Sequence, residues 1–363
     1  MGTKTFLTKL EIGQIGFFVG FGSLLGGIIS AAVIDLICPS SIVVVSLLMG
    51  SIGFYFIPMC RESYYYAFCT LLIGISTSLF ISCNNTLLLK SVSRNEKKLR
   101  IVQSLKAVTE NIGSSFSILL IMFFAAQNYA TIFQILGITL LVLGVLAAKI
   151  IKKELNVVDV VNPANRLIQN RKGKKSTFFY AISSVFLIGI LFAQQRIAYP
   201  LFLQERFNSY FTTGLLFWLD PIIVSLFQIK VTHLFSSIKL NMVMAIGAMF
   251  LGLGLFLLAI VKTLIGVILA IVVFILGEML FMPASSVLCF ESTDERKKGF
   301  SIGSWRIAYS LGLMVGPLIS GWLMHHYSFN SCWYLASLIA ATVVTISLII
   351  SYLNHSDLEQ CIP

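Results

Sequence analysis

Apolar runs of about twenty residues recur along the whole chain, and this recurrence limits the possible folds more than any other feature. Each run is long enough to cross a hydrocarbon core of about 30 Å as a helix. The sequence reads as eleven spans: 13–37, 42–59, 64–89, 101–125, 129–150, 177–203, 209–236, 240–261, 263–289, 299–324 and 329–353. Composition agrees. The 363 residues are 57% hydrophobic and 11% charged, against about 25% charged for soluble domains, and the mean hydropathy is +0.91. The chain is an all-α, multi-pass membrane protein. Its first run, "IGQIGFFVGFGSLLGGIISAAVIDL", is too long for the apolar region of a signal peptide and reads as a span.

A net charge of +11 in a soluble protein would suggest a nucleic-acid partner. Here the cations gather in a few short segments. "KSVSRNEKKLR" (90–100) carries five and "KIIKKELNVVDVVNPANRLIQNRKGKK" (149–175) carries eight, with Arg296, Lys297 and Lys298 in a third group. All three fall on one side of the eleven-span topology. The positive-inside rule places them in the cytoplasm, so topology and lipid headgroups account for the charge and no nucleic-acid partner is expected. The expected location is a bacterial inner membrane, with the amino terminus outside and the carboxy terminus cytoplasmic. The cysteines (38, 60, 69, 83, 289, 332 and 361) show no CxxC or ligand-like spacing. Neither a disulfide framework nor a metal site is expected, and His325 and His326 read as a solvated loop pair.

The chain also repeats itself. At an offset of 199, "SRNEKKLRIVQSLKAVTENIG" lies on "STDERKKGFSIGSWRIAYSLG", matching Glu96 to Glu295, Lys98 to Lys297 and Gly113 to Gly312. Agreement in topology and charge points to a duplicated half. The expected organisation is an amino-terminal bundle (1–150) of five spans, a basic linker (151–176), a six-span bundle (177–353) and a tail (354–363). The unequal halves suggest a preceding helix that this chain lacks.

Three stretches carry a family resemblance. "FAQQRIAYPLFLQERF" (192–207), "GLLFWLDPIIVSLFQIKVTHLF" (214–235) and "GEMLFMPASSVL" (277–288) come in order, the last followed by "SIGSWRIAYSLGLMVGPLISGWL" (301–323). Together with the two-bundle layout they resemble the major facilitator superfamily, nearest to its bacterial drug:proton antiporter branch and without its first helix. The Gly312, Gly316, Pro317 and Gly321 series is the most specific piece, since small residues let helix backbones approach. The resemblance implies two pseudo-symmetric bundles, a small-molecule substrate moved by alternating access, and neither a cofactor nor enzymatic activity. Two departures stand out. In "AAVIDLICPSS" (31–41) the gate residue Asp35 is present, but Ala31 replaces the family's glycine and no basic residue follows. After Gly113, where the antiporters have Gly-Pro, this chain has Ser117 and Ile118.

Ionisable groups within hydrocarbon cost roughly 2.5–3.5 kcal/mol on insertion scales, so they face partners or cavities. Lys106, Glu110, Arg196, Asp220, Lys230, Glu278 and Arg306 lie inside the expected spans. Lys106 and Glu110 sit one turn apart: either a neutralising pair, or Glu110 is a proton or cation site that Lys106 modulates. Glu278 is a gating or coupling acid or a satisfied core acid. Asp220 precedes Pro221 and either caps a kink or lines a cavity. Arg196 lines the interior with Gln194 and Gln195, or snorkels. Arg306 anchors the cytoplasmic side or joins Tyr309 in a binding surface, and Lys230 is close enough to the cytoplasmic end to snorkel. Asn111, Asn84 and Asn85 complete the candidate lining. The expectation is a monomeric, proton-coupled exporter of a drug or metabolite. The alternatives are a siderophore or nutrient transporter, or a remnant that does not transport.

Overall fold

The computed structural model describes residues 9–34, 36–60, 63–91, 96–155, 175–294 and 297–359. Asp35, Arg296 and most of the basic linker lie outside the described residues. Regular structure among the described residues is helical throughout. In chain order the helices are α1 (Lys9–Val33), α2 (Pro39–Phe56), α3 (Ser63–Ser91), α4 (Glu96–Leu155) and α5 (Lys175–Phe207). They continue as α6 (Tyr210–Leu234), α7 (Leu240–Ile260), α8 (Leu264–Glu291), α9 (Lys298–His326) and α10 (Phe329–Glu359). Nine described stretches are long and apolar enough to cross a membrane, and α1 adds a shorter one, Phe17–Val33.

Local chemistry explains where several helices begin. Asn208 adopts φ 44°, a left-handed conformation that asparagine tolerates, and this lets two residues link α5 to α6. Ser209 then caps α6, its hydroxyl accepting from the Thr212 N–H at 3.2 Å. Thr263 caps α8 in the same way, accepting from the Gly266 N–H at 3.1 Å. His325 and His326 occupy the last turn of α9 rather than the loop expected for them.

The main difference from the sequence reading is α4. Spans were expected at 101–125 and 129–150, yet helical structure runs unbroken from Glu96 to Leu155, 60 residues. A straight helix of that length would measure ~90 Å, three times a membrane core. The contacts of its two halves rule out a straight rod. Near its start Arg100 and Ser104 meet Phe235 and Thr232 of the α6 end. Further on, Gly137 approaches Tyr55 and Gly144 approaches Leu48 of α2. Following the helix directions through these neighbours, the first half rises beside α6 and the second descends beside α2. The helical run doubles back between the two expected spans, and its second half, Ala130–Ile150, is one of the nine membrane-crossing stretches.

The repeat is structural as well. Lys9, Pro39 and Ser63 start α1, α2 and α3; Tyr210, Leu240 and Leu264 start α6, α7 and α8, each 201 residues later. Contacts repeat too: α1 with α3 and α6 with α8, α2 with α3 and α7 with α8, α2 with α4 and α7 with α10. Helix α5 has no counterpart in the first group. It packs on α9 and α10, and the main apolar core is centred on α5–α10, with Leu89 and Leu99 joining it from the first group. A much smaller core around Ile34, Ile42, Leu79 and Cys83 serves α1–α3.

Candidate functional site

Two helix pairs dominate the junction of the groups, α1 with α9 and α4 with α6, and α3 with α9 and α4 with α8 add to it. Along α9 the sequence "SWRIAYS" turns Arg306 and Ser310 toward α1 and α3. Arg306 is only 8% exposed. Its Nε donates to Ser78 Oγ at 3.2 Å and its Nη2 to Ser23 Oγ at 2.9 Å, while the Ser23 and Ser310 hydroxyls lie 3.0 Å apart. Among the described residues no carboxylate comes within ion-pairing distance of this guanidinium, and only the electrostatic influence of Glu110 reaches it from the acidic side. The guanidinium carbon stands 5.8 Å from the centre of the Tyr309 ring.

A second guanidinium approaches the other end of the same tyrosine. Arg196 projects from α5, and its Nη2 donates to the Tyr309 hydroxyl at 3.4 Å. Side chains on a helix lean toward its amino end, which here brings Arg196 inward from its backbone position, so it lines the interior instead of snorkelling outward. Arg196 stays open to solvent-sized space, and it interacts electrostatically with Glu278 of α8 and Asp220 of α6. Those two acids also interact with each other. The Asp220 Oδ1 is buried without a hydrogen-bond partner among the described residues. Apolar walls close the group: Trp305 stacks on Tyr309 at 5.6 Å, and Phe192 meets it edge-on at 6.1 Å.

Lys106 and Glu110 form an i,i+4 ion pair at 3.3 Å, with Glu110 47% exposed. Asn111 donates to the Ala107 carbonyl of its own helix at 2.8 Å. Gln194 is fully buried and accepts from Ser320 at 2.8 Å, while its Nε2 has no partner. Gln195 is buried, and Asn84 is half-buried on α3. Lys230 is exposed beside the Phe227 ring. Gly312 and Gly316 press on α5, where a Cβ at Gly312 would lie 2.5 Å from the Phe186 carbonyl oxygen. Pro317 follows in the same helix. Gly321, expected to pack like the others, faces open space.

The end of the bundle bearing Lys97, Lys98, Lys297 and Lys298, the basic end, is tied shut by polar contacts between the two groups. Arg100, 4% exposed, donates to the carbonyls of Phe235 at 3.0 Å and Ile238 at 2.8 Å, just past the end of α6. Ser104 bonds Thr232 at 2.6 Å. Asn85 donates to Ser286 at 3.1 Å and accepts from Gln103. Within the second group, Gln228 donates to the Met279 carbonyl at 2.9 Å and, at 3.2 Å, to the Thr232 hydroxyl that meets Ser104. Among the described residues, no hydrogen bond joins the groups farther from this end than Ser310. Sequence reasoning missed Ser23, Ser78, Ser310, Gln103 and Gln228, because serine and glutamine in an apolar run carry no charge signal. It also counted Arg100 with the loop cations.

The arrangement is a helical membrane carrier: two related groups of spans, closed at one end, with charged side chains facing their interface at mid-depth. The family model of the Major Facilitator Superfamily matches residues 2–304 and 184–359, and the chain belongs to that superfamily. Its fold is similar to the human organic anion transporter MFSD10 (TETRAN), with a TM-score of 0.74 and 14% identity over 93% of this chain and 83% of that one. It is similar also to the proton:xylose symporter XylE, at 0.68 and 12% over 94% and 86%. A POT family transporter solved with a thioalcohol-conjugated peptide scores 0.64 at 15% over 96% and 88%. No curated protein matches the chain in sequence.

Proposed function

We propose that this protein is a proton-coupled secondary transporter that exports a small drug-like molecule or metabolite from a bacterial cell by alternating access. Superfamily membership supports transport in general. The observation that carries the finer reading is the mid-depth group of Arg196, Asp220, Glu278, Tyr309 and Arg306, which lies at the inter-group interface above a closed basic end. Charges at that depth are costly unless a cavity or partner receives them, and a purely structural bundle has no need of the four in this group. In this reading Glu278 and Asp220 exchange protons, with Glu110 as a third acid on the opposite group. The basic end is cytoplasmic, and Arg100 with Asn85, Ser104 and Gln228 forms the inner gate in place of the family's Asp35 network. The protein works as a monomer of two bundles, 1–150 and 177–353.

The test is flux in proteoliposomes under an imposed pH gradient. Gradient-driven substrate movement that falls at least tenfold in Glu278→Gln or Glu110→Gln supports proton coupling. Flux indifferent to the gradient and to both substitutions would overturn it.

A second reading concerns completeness. Gly113 aligns with Gly312 in the repeat, yet a Cβ at Gly113 would meet nothing within 4 Å among the described residues, and Ile112 and Phe116 are 57% and 65% exposed. This face of α4 matches the face of α9 that α5 covers. It suits one further membrane helix, related to α5, as the missing first helix of the resemblance. Cysteine crosslinking at position 113 in native membranes tests this: a product with an added helix supports it, and free labelling by a lipid-soluble maleimide refutes it.

A further inference from the structure

We propose that the side-chain cluster around Tyr309 binds an organic anion, an aromatic or apolar molecule carrying one carboxylate or sulfonate, between the guanidiniums of Arg196 and Arg306. The proposal rests on the transporter reading and names its substrate class.

The argument begins with how the two arginines are satisfied. A guanidinium offers five N–H donors, and buried arginine is ordinarily matched by a carboxylate. Arg306 is almost fully buried, yet its hydrogen bonds go to two neutral hydroxyls, Ser78 and Ser23. Arg196 is held by the neutral Tyr309 hydroxyl. Neither forms an ion pair among the described residues. Three acids act on the pair from beyond salt-bridge distance: Asp220 and Glu278 on Arg196, and Glu110 on Arg306. Both cations therefore keep donors for an incoming acceptor, and they are one tyrosine ring apart.

The surroundings indicate the rest of the ligand. Trp305, Tyr309 and Phe192 form a continuous aromatic wall beside the two cations, which suits a flat apolar body attached to the anionic group. A cation would instead have to seat next to two guanidiniums, where like-charge repulsion in a low-dielectric site opposes it. Planar, forked recognition of this kind belongs to arginine and not to lysine. The acids then have a natural part. When Asp220 and Glu278 carry protons, the cluster is net positive and admits the anion; when they release them, they compete for Arg196 and favour its departure.

The experiment uses the full chain, purified in detergent and also reconstituted, with three matched probes: 4-toluenesulfonate, neutral 4-toluenesulfonamide and benzyltrimethylammonium. Binding is read by titration calorimetry and movement by counterflow in proteoliposomes. We expect the sulfonate to bind at least about tenfold more tightly than either other probe. Arg196→Gln and Arg306→Gln should each weaken it by about tenfold or more, and Arg196→Lys should restore only part of the loss. Preference for the cation or the neutral amide overturns the proposal, as does sulfonate affinity unchanged in Arg196→Gln. Because Arg196 is exposed and Arg306 is buried, the Arg196 variant still decides the matter if Arg306→Gln does not fold. Sulfonate that binds but does not cross would uphold the anion site and count against the transport reading alone. Counterflow of only the cation would do the reverse.

Discussion

Two stretches of this protein descend from one pattern and have met different fates. "SLKAVTENIG" in α4 and "GSWRIAYSLG" in α9 align at a fixed offset. In α9 the glycine is jammed against α5 and the arginine is buried among serines of the other group. In α4 the glycine touches nothing and the lysine turns back onto a glutamate of its own helix. The difference shows that the neighbours decide what a membrane helix's charges do. Covered by α5, α9 directs its cation across the interface. Without such a cover, α4 keeps its pair local and half-exposed.

The sharpest way to break this comparison is to enlarge the two glycines. Gly312→Leu drives a side chain into the Phe186 carbonyl and the Gly189 backbone, which cannot give way cheaply. Overpacking costs typically ~1–3 kcal/mol, and with main-chain atoms on both sides the variant is expected to lose monodisperse, folded protein. Gly113→Leu should change the melting temperature very little, within the ~0.5 kcal/mol usual for surface positions. Equal damage from both would mean that the α4 face is covered after all.

Next come the cations. Arg306→Ala removes two charge-assisted hydrogen bonds to the opposite group, each worth about 1.5–3 kcal/mol in soluble proteins. It should lower both the thermal midpoint and counterflow, whereas Lys106→Ala should cost about 0.5 kcal/mol or less. A Lys106 variant that destabilises as much as the Arg306 variant would show that α4's pair is a shared support.

The gate gives a smaller, conformational effect. Interhelical hydrogen bonds in membranes average ~0.6 kcal/mol and reach ~1.7. Arg100→Gln should therefore raise maleimide labelling of a Ser286→Cys thiol from the basic side by about three- to tenfold. No change in labelling would remove Arg100 from the gate. The smallest effect belongs to the ion pair itself. A double-mutant cycle on Lys106 and Glu110, read by thermal unfolding, should return about 0.3–0.5 kcal/mol, as expected of an exposed i,i+4 pair. A coupling above about 2 kcal/mol would contradict the exposure seen at Glu110.

The fold was legible because lipid makes span length a direct reading of apolar length. The repeat was legible because charge and glycine survive duplication. The turn inside α4 was expected between the spans 101–125 and 129–150; what the sequence did not reveal is that helix continues through it, since "FFAAQNYATIF" carries no helix-breaking glycine or proline. The candidate site was visible only in part. Arg196, Asp220 and Glu278 announced themselves as charges in apolar runs, but a helix that is apolar all round does not say which way it faces. That is why Arg306 could equally be read as an anchor, and why the serines that hold it, Ser23 and Ser78, were invisible. Glycines told a similar story: Gly312 and Gly321 look alike in sequence, yet only the first lies where another backbone passes.

At the basic end Arg100 grips two main-chain carbonyls, and every residue type carries such an oxygen. No exchange of side chains at positions 235 and 238 deletes the acceptors, so variation at this junction can break the bond directly only from the arginine's side. This contact tolerates drift in the α6–α7 turn and is exposed to loss at one codon, while Ser104 and Asn85 tie the same end through side chains that drift can delete from either partner.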